Sequence, residues 1–418
     1  MVRRNACINR LVRSMWNRSV KILTGMRGCG KSVLLFDLFY DELLARGVPQ
    51  DHILKIELDK PAFRRLQNPV ALCEYVEGVV CTRKDEKFYL LIDEVQLTNK
   101  IPAEETGCTD VTLYDMLNEL NACKNLEVYA AGSNARGLSK DVATEFRGRS
   151  QQIPVFPLSF AEVYEARGGN EQKALQDYMQ YGGLPGLLAY EDEQDKKDYL
   201  ASLCSGFVQD IAEGCGESRD SLNGMLKHLA RHASPATPAC LAEAISMKGR
   251  GAPARAAKLV QACTDAFILA EVGRYDVGRR TFSPDHAKYC FTDAGLKNAL
   301  LDFQSPDPGS SLEDIVCMEL LRRGCCLASG VIDDRDDGTK MLETGFVVSD
   351  ADKKCYIQTA WRLDTESGEP AKVAALKRPG DFFKKIVVRM DVPYSFYDDT
   401  GIFHCSLADL LLGRAFLF

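Results

Sequence analysis

Residues 25–32, Gly25-Met-Arg-Gly-Cys-Gly30-Lys31-Ser32, fill every fixed place of the G-x-x-x-x-G-K-[ST] pattern. The flanks constrain the fold as strongly as the match. Val20 to Thr24 reads as a short apolar strand, and from Lys31 to Leu44 apolar residues recur at helical spacing. A strand, a glycine-rich loop and a helix in that order form a phosphate cradle. Glycines let the backbone approach an anion closely with its N–H groups converging. The helix that follows adds the partial positive charge of its N-terminus. Gly25, Arg27, Gly28, Cys29, Gly30, Lys31, Ser32 and Val33 are the expected ligand-binding residues. Lys31 would reach the terminal phosphates of a nucleoside triphosphate, and Ser32 would ligate its magnesium.

The second constraint lies about 60 residues on. Lys87 to Ile92 is an apolar run that empties into Asp93 and Glu94. In a parallel sheet the C-terminal end of such a strand faces the same crevice as the phosphate loop. Asp93 is therefore placed to hold the magnesium shell, and Glu94 to orient and polarise an attacking water. Leu113 to Cys123 then reads as a helix, and Glu127 to Ala131 as a strand ending in Gly132, Ser133 and Asn134. Ser133 or Asn134 would touch the phosphate or the water. Arg147 and Arg149 follow in a short loop and are candidates to neutralise charge on the transferring phosphoryl, on their own subunit's nucleotide or a neighbour's.

Bulk properties exclude several classes. A chain of 418 residues is too long for one ordinary core, so two or three domains are expected. Its net charge of −7 argues against a uniformly basic nucleic-acid binder. No apolar run approaches the roughly 18 residues of a membrane span, and no secretory signal follows Met1-Val-Arg-Arg-Asn5. The sixteen cysteines are scattered without any C-x-x-C spacing, so neither disulfides nor a structural zinc site is expected. Reduced thiols and a cytoplasmic location follow as expectations.

Leu90-Leu-Ile-Asp-Glu-Val-Gln96, Gly132-Ser-Asn134, Phe146-Arg-Gly-Arg149 and Tyr181-Gly-Gly-Leu-Pro185 follow the phosphate loop in this order. With them the chain resembles a bacterial and archaeal family of AAA-type P-loop ATPases that carry a winged-helix segment and a C-terminal domain of uncharacterised function. The resemblance implies an ATPase core over residues 1–160, with ATP and Mg²⁺ held by Lys31, Ser32, Asp93 and Glu94. It also implies a small helical lid over 161–215.

From residue 221 to 300 three short helices precede two strands joined by Gly278-Arg279-Arg280, an order that reads as a winged helix over 216–304. This window holds eleven Lys and Arg against six Asp and Glu. Arg255 and Lys258 on the third helix, with Arg279 and Arg280 on the hairpin, are the candidate DNA contacts. Residues 305–418 resemble the restriction-endonuclease-like α/β core of the family's last domain. Such a nuclease needs an Asp on one hairpin strand and an acid and lysine on the next. Here those places hold Gly345, Gln358 and Ala360, so Glu313 and Glu343 remain without their partners and cleavage is not expected. The overall expectation is an α/β AAA-type ATPase with a lid, a winged helix and a nuclease-like domain, acting on an unidentified protein partner. A nucleotide-gated DNA switch and a metal-dependent nuclease are the alternatives, and a homo-oligomer is among the expected assemblies.

Overall fold

The computed structural model describes residues 2–102, 110–132, 149–232, 235–304, 308–333, 341–350, 353–363 and 369–418. The chain divides into two compact units, residues 1–156 with 265–267, and residues 157–264 with 268–418. No helix among the described residues is long and apolar enough to cross a membrane.

The first unit is built on five parallel strands: β1 (Val20–Thr24), β2 (Ile53–Glu57), β3 (Phe88–Asp93), β4 (Leu126–Ala131) and β5 (Ser150–Pro154). Their order is β2-β3-β4-β1-β5. β1, β3 and β4 are buried along their whole length, as continuous apolar strands of a parallel sheet must be. Helix α1 (Asn5–Arg13) precedes the sheet, and α2 spans residues 31–45. α3 (Pro69–Val80) and α4 (Leu113–Leu120) pack on one face through Leu72, Val76, Leu117 and Leu120 against Ile22, Ile56, Leu90 and Val128. On the other face Tyr129 packs at a tilt against Phe39 of α2, and its hydroxyl donates to the Leu11 carbonyl of α1 at 3.1 Å.

In the second unit α5 (Phe160–Arg167), α6 (Glu171–Tyr181) and α7 (Glu193–Cys215) come first. These are the helices expected as a lid. α8 (Arg219–Arg231), α9 (Pro238–Ala244) and α10 (Ala252–Asp265) follow, then the hairpin of β6 (Leu269–Asp276) and β7 (Thr281–Phe291), close to the positions expected of a winged helix. α11 (Ala294–Leu300) and α12 (Pro308–Arg322) lead to β8 (Cys326–Asp333), β9 (Met341–Asp350), β10 (Lys353–Ala360), α13 (Glu369–Leu376), β11 (Lys384–Arg389), β12 (Phe396–Tyr397), β13 (Phe403–Ser406) and α14 (Leu407–Leu411). The sheet does not stop at the expected boundary after residue 304. β6 runs parallel to β8, with Arg274 opposite Ser329, so the hairpin and the later strands form one eight-stranded sheet in the order β12-β13-β11-β10-β9-β8-β6-β7.

The Tyr181-to-Pro185 turn has a structural explanation in this unit. The Asp293 carboxylate caps α11 by accepting from the Leu296 amide at 3.1 Å and also accepts from the Gly183 amide at 2.8 Å. A Cβ on Gly182 would lie 2.2 Å from that carboxylate, and one on Gly295 would lie 1.9 Å from the Tyr181 carbonyl. The Asn298 side-chain amide then donates to the Met179 and Gln180 carbonyls, satisfying the last turn of α6. Glycine is thus required where the end of α6 presses on the start of α11. Gly295→Ala is expected to cost about 2–3 kcal/mol, seen as a lower urea midpoint. An unchanged midpoint would show that the contact yields freely.

Candidate functional site

β1 delivers the chain into the glycine loop at Gly25. A Cβ there would stand 2.1 Å from the Val155 carbonyl, so the loop backbone lies hard against the segment that follows β5. The Cys29 thiol donates to the same carbonyl at 3.2 Å. Arg4, buried, donates to the Cys29 carbonyl at 3.0 Å and to the Phe156 carbonyl at 2.6 Å. The base of the loop is therefore fixed, while Arg27 and Gly28 at its tip are exposed. Gly30, left-handed at φ 91°, caps α2. Lys31 folds inward, nearly buried, and its ammonium donates to the Gly25 and Met26 carbonyls at 2.9 Å each. Ser32 and Val33 are exposed on the first turn of the helix. The helix widens to a π turn over Leu34–Phe39, and Lys55 of β2 donates to the Phe36 carbonyl inside it at 2.8 Å.

β3 ends at Asp93, which is buried, and the Ser32 hydroxyl lies near enough to favour its charged form. The two residues expected to ligate a metal therefore stand close together. Burial pushes the Asp93 carboxyl above its ordinary range, opposed by the Ser32 hydroxyl and by the Glu94 amide, which donates to it at 2.8 Å. Glu94 takes a left-handed backbone conformation (φ 55°), uncommon for a residue with a side chain. Its carboxylate accepts from the Gln96 side-chain amide in a short hydrogen bond. A glycine cradle, an inward ammonium, and a hydroxyl near a buried carboxylate are the donor set that a triphosphate with a hard divalent cation requires.

Not every expected residue joins this site. Ser133, Asn134 and Arg147 lie outside the described residues. Arg149 does not join its own chain's loop: its side chain is exposed, and its carbonyl accepts from the Val20 amide at 2.9 Å. Val20 and Ser150 are register partners at the starts of β1 and β5. Arg149 thus stands at the sheet edge opposite the loop, a strand length of roughly 16 Å away. Two contributors escaped the sequence reading. Gln96 was visible only as part of Asp-Glu-x-Gln, and Arg4 carried no signal because its partners are 25 and 152 residues away.

The other expected contacts are held within the second unit. Arg255 forms a two-pronged ion pair with Glu217, and Lys258 donates to the Cys215 carbonyl at 2.7 Å. Arg279 is exposed, with its amide bonded to Asp276; Arg280 is exposed beside it. Gly345 packs so closely on β10 that a Cβ would meet the Ile357 carbonyl at 2.2 Å and the Gln358 side chain at 2.8 Å. Glu313 of α12 pairs with buried Lys288 of β7 at 2.5 Å. Burial opposes that ammonium's charge, but Glu313 and Glu343 outweigh it and hold Lys288 above the usual range.

Comparisons with known proteins agree with this geometry. A family model described as an AAA domain matches residues 17–164. Over 411 residues the chain is 26% identical to an uncharacterised protein of Haemophilus influenzae, covering 96% of each. It is 23% identical over 335 residues to an uncharacterised protein of Methanocaldococcus jannaschii, covering 73% of this chain and 67% of that one. A Walker-type ATPase of Pyrococcus abyssi shares the fold, with a TM-score of 0.51 at 15% identity over 72% of this chain and 96% of that one. The first unit thus holds an AAA-type P-loop domain, of a class that binds nucleotide with a divalent metal.

The burial of Asp93 sets a test. A carboxyl whose folded pKa is raised adds full stability only below its unfolded pKa and loses it as pH rises through the folded value. At pH 7 its ionised form is a net cost. Asp93→Asn is therefore expected to raise the nucleotide-free melting temperature at pH 7 while removing metal-dependent nucleotide binding. A lower melting temperature would refute this account of the carboxylate.

Proposed function

We propose that this chain is a magnesium-dependent ATP hydrolase whose nucleotide state sets the conformation of the second unit or of a bound protein partner. The observation that carries the reading is the buried Asp93 carboxylate at the end of β3, close to the Ser32 hydroxyl and the inward Lys31, with Glu94 next in line. Magnesium held by Ser32 and Asp93 would supply charge neutralisation on the phosphates. Lys31 exchanges its loop carbonyls for phosphate oxygens. Glu94, steadied by Gln96, orients the attacking water and accepts its proton. In this reading Asn134 touches the phosphate or the water, and Arg147 neutralises the charge that develops.

The alternatives have less support. Arg255 and Lys258 are already engaged within the chain, and Arg279 pairs with Asp276 at 3.7 Å, so most of the DNA contacts of a nucleotide-gated switch have partners of their own. Cleavage by the nuclease-like strands is disfavoured by the crowding at Gly345 and by the pairing of Glu313 with Lys288.

Glu94→Gln is expected to lower ATP turnover by about 10²–10⁴-fold while leaving ATP binding intact. Lys31→Ala is expected to abolish binding itself in calorimetric titration with Mg-ATP. Wild-type turnover that survives Glu94→Gln would overturn the catalytic assignment. Duplex DNA incubated with Mg²⁺ or Mn²⁺ is expected to remain uncut, and cutting that Glu343→Ala abolishes would restore the nuclease reading.

A further inference from the structure

Three cysteines of the first unit that no short spacing links in sequence, Cys73, Cys81 and Cys123, come together in space. α3 carries Cys73 and Glu77 one turn apart, and Cys81 caps its C-terminus a turn later. All three therefore share one helical face. α4 packs beside it and brings Glu119, with Cys123 following in the turn after the helix. The Cys73 sulfur and one carboxylate oxygen each of Glu77 and Glu119 lie within 4.8 Å of one another. The Cys123 thiol lies near enough to interact with both carboxylates and with the Cys81 thiol.

We propose that Cys73, Glu77 and Glu119 form the core of a structural site for a thiophilic divalent cation of the zinc type, completed by Cys123 from the turn after α4, with Cys81 beside it. Zinc takes four tetrahedral ligands at about 2.3 Å from sulfur and about 2.0–2.2 Å from carboxylate oxygen. That geometry spaces the ligand atoms roughly 3.4–3.8 Å apart, so a contraction on the order of 1 Å closes the Cys73, Glu77 and Glu119 set, and Cys123 turns in to complete it. The mixture of thiolate and carboxylate separates such an ion from magnesium, which prefers oxygen alone.

The surroundings are fixed. The Asn125 side-chain amide donates to the Val80, Arg83 and Glu86 carbonyls at 3.2–3.3 Å, tying the end of α3 to the turn after α4. Because α3 and α4 lead into β3 and β4, this cluster stands where those strands begin, at the opposite sheet edge from the glycine loop. It is therefore independent of the nucleotide chemistry.

The test is titration of the chelator-treated, reduced full-length chain with Co²⁺, read by the thiolate-to-cobalt absorption band, followed by competition with Zn²⁺. One saturable equivalent showing the band is expected. Cys123→Ser and Glu119→Gln are each expected to weaken binding by about tenfold or more. Zn²⁺ is expected to raise the melting temperature of the wild type but not of the double variant. Neither position is fully buried, so these variants remain informative if Cys73→Ser fails to fold. The absence of a saturable band, or a band unchanged in Cys123→Ser and Glu119→Gln, would overturn the site.

Discussion

The press of the Gly25 backbone against the Val155 carbonyl is the contact from which the nucleotide site takes its shape. It makes the edge strand β5 a structural partner of the loop and not merely the last strand of a sheet. The Val155 amide donates to the Thr24 carbonyl at 2.7 Å, so the ladder between β1 and β5 runs to the mouth of the loop. Cys29 and Arg4 then close the loop from its far side. A phosphate cradle held this way is organised before any ligand arrives, and its donors need little reordering to act. The price is paid in sequence freedom at Gly25, where no side chain fits.

The same sheet buries two kinds of charge for different ends. Asp93 is buried without a full countercharge, and its carboxyl is pushed up accordingly. At the other end of the sheet Lys21 contacts Glu127, both inaccessible to solvent. Burial pulls the Lys21 ammonium down to about 7, a tendency the adjoining carboxylate must oppose. Glu127 also accepts from the Trp16 amide at 2.6 Å, so the pair fixes where the chain enters β1. A buried pair of this kind adds little net stability, since desolvation offsets the attraction. Its consequence is register. Asp93 adds no such constraint, and its cost makes physical sense only if the carboxylate has a cation to meet.

Legibility in the sequence followed the range of the interaction. The strand, loop and helix around Gly25 to Ser32 and the apolar run ending at Asp93 are local patterns, and the structure places them together. Tyr181-Gly-Gly-Leu-Pro185 was legible as a tight turn, but its reason, Asp293, lies 110 residues from Gly183. Arg149 stands away from its own chain's loop because nearness in sequence to a functional strand does not say which end of the next strand a residue occupies. A residue that precedes a parallel strand stands at the edge away from the crevice. The zinc-type cluster was invisible for a related reason: two helices, not one loop, supply its ligands, so no short spacing marks it.

The second unit carries a mechanical consequence. Because β6 is hydrogen-bonded along β8, the basic hairpin and the strands after residue 326 cannot move apart without breaking that ladder. Asp293 and Asn298 bind the end of α6 to α11, and α12 packs over β7 and β10. Helices, hairpin and terminal strands are thus coupled as one body, although the sequence divides them by composition into three. A force applied at Arg279 or Arg280 is felt across the sheet. A nucleotide-driven change delivered to this unit would displace its parts together, because each internal boundary is crossed by backbone or buried polar bonds whose rupture leaves unsatisfied groups.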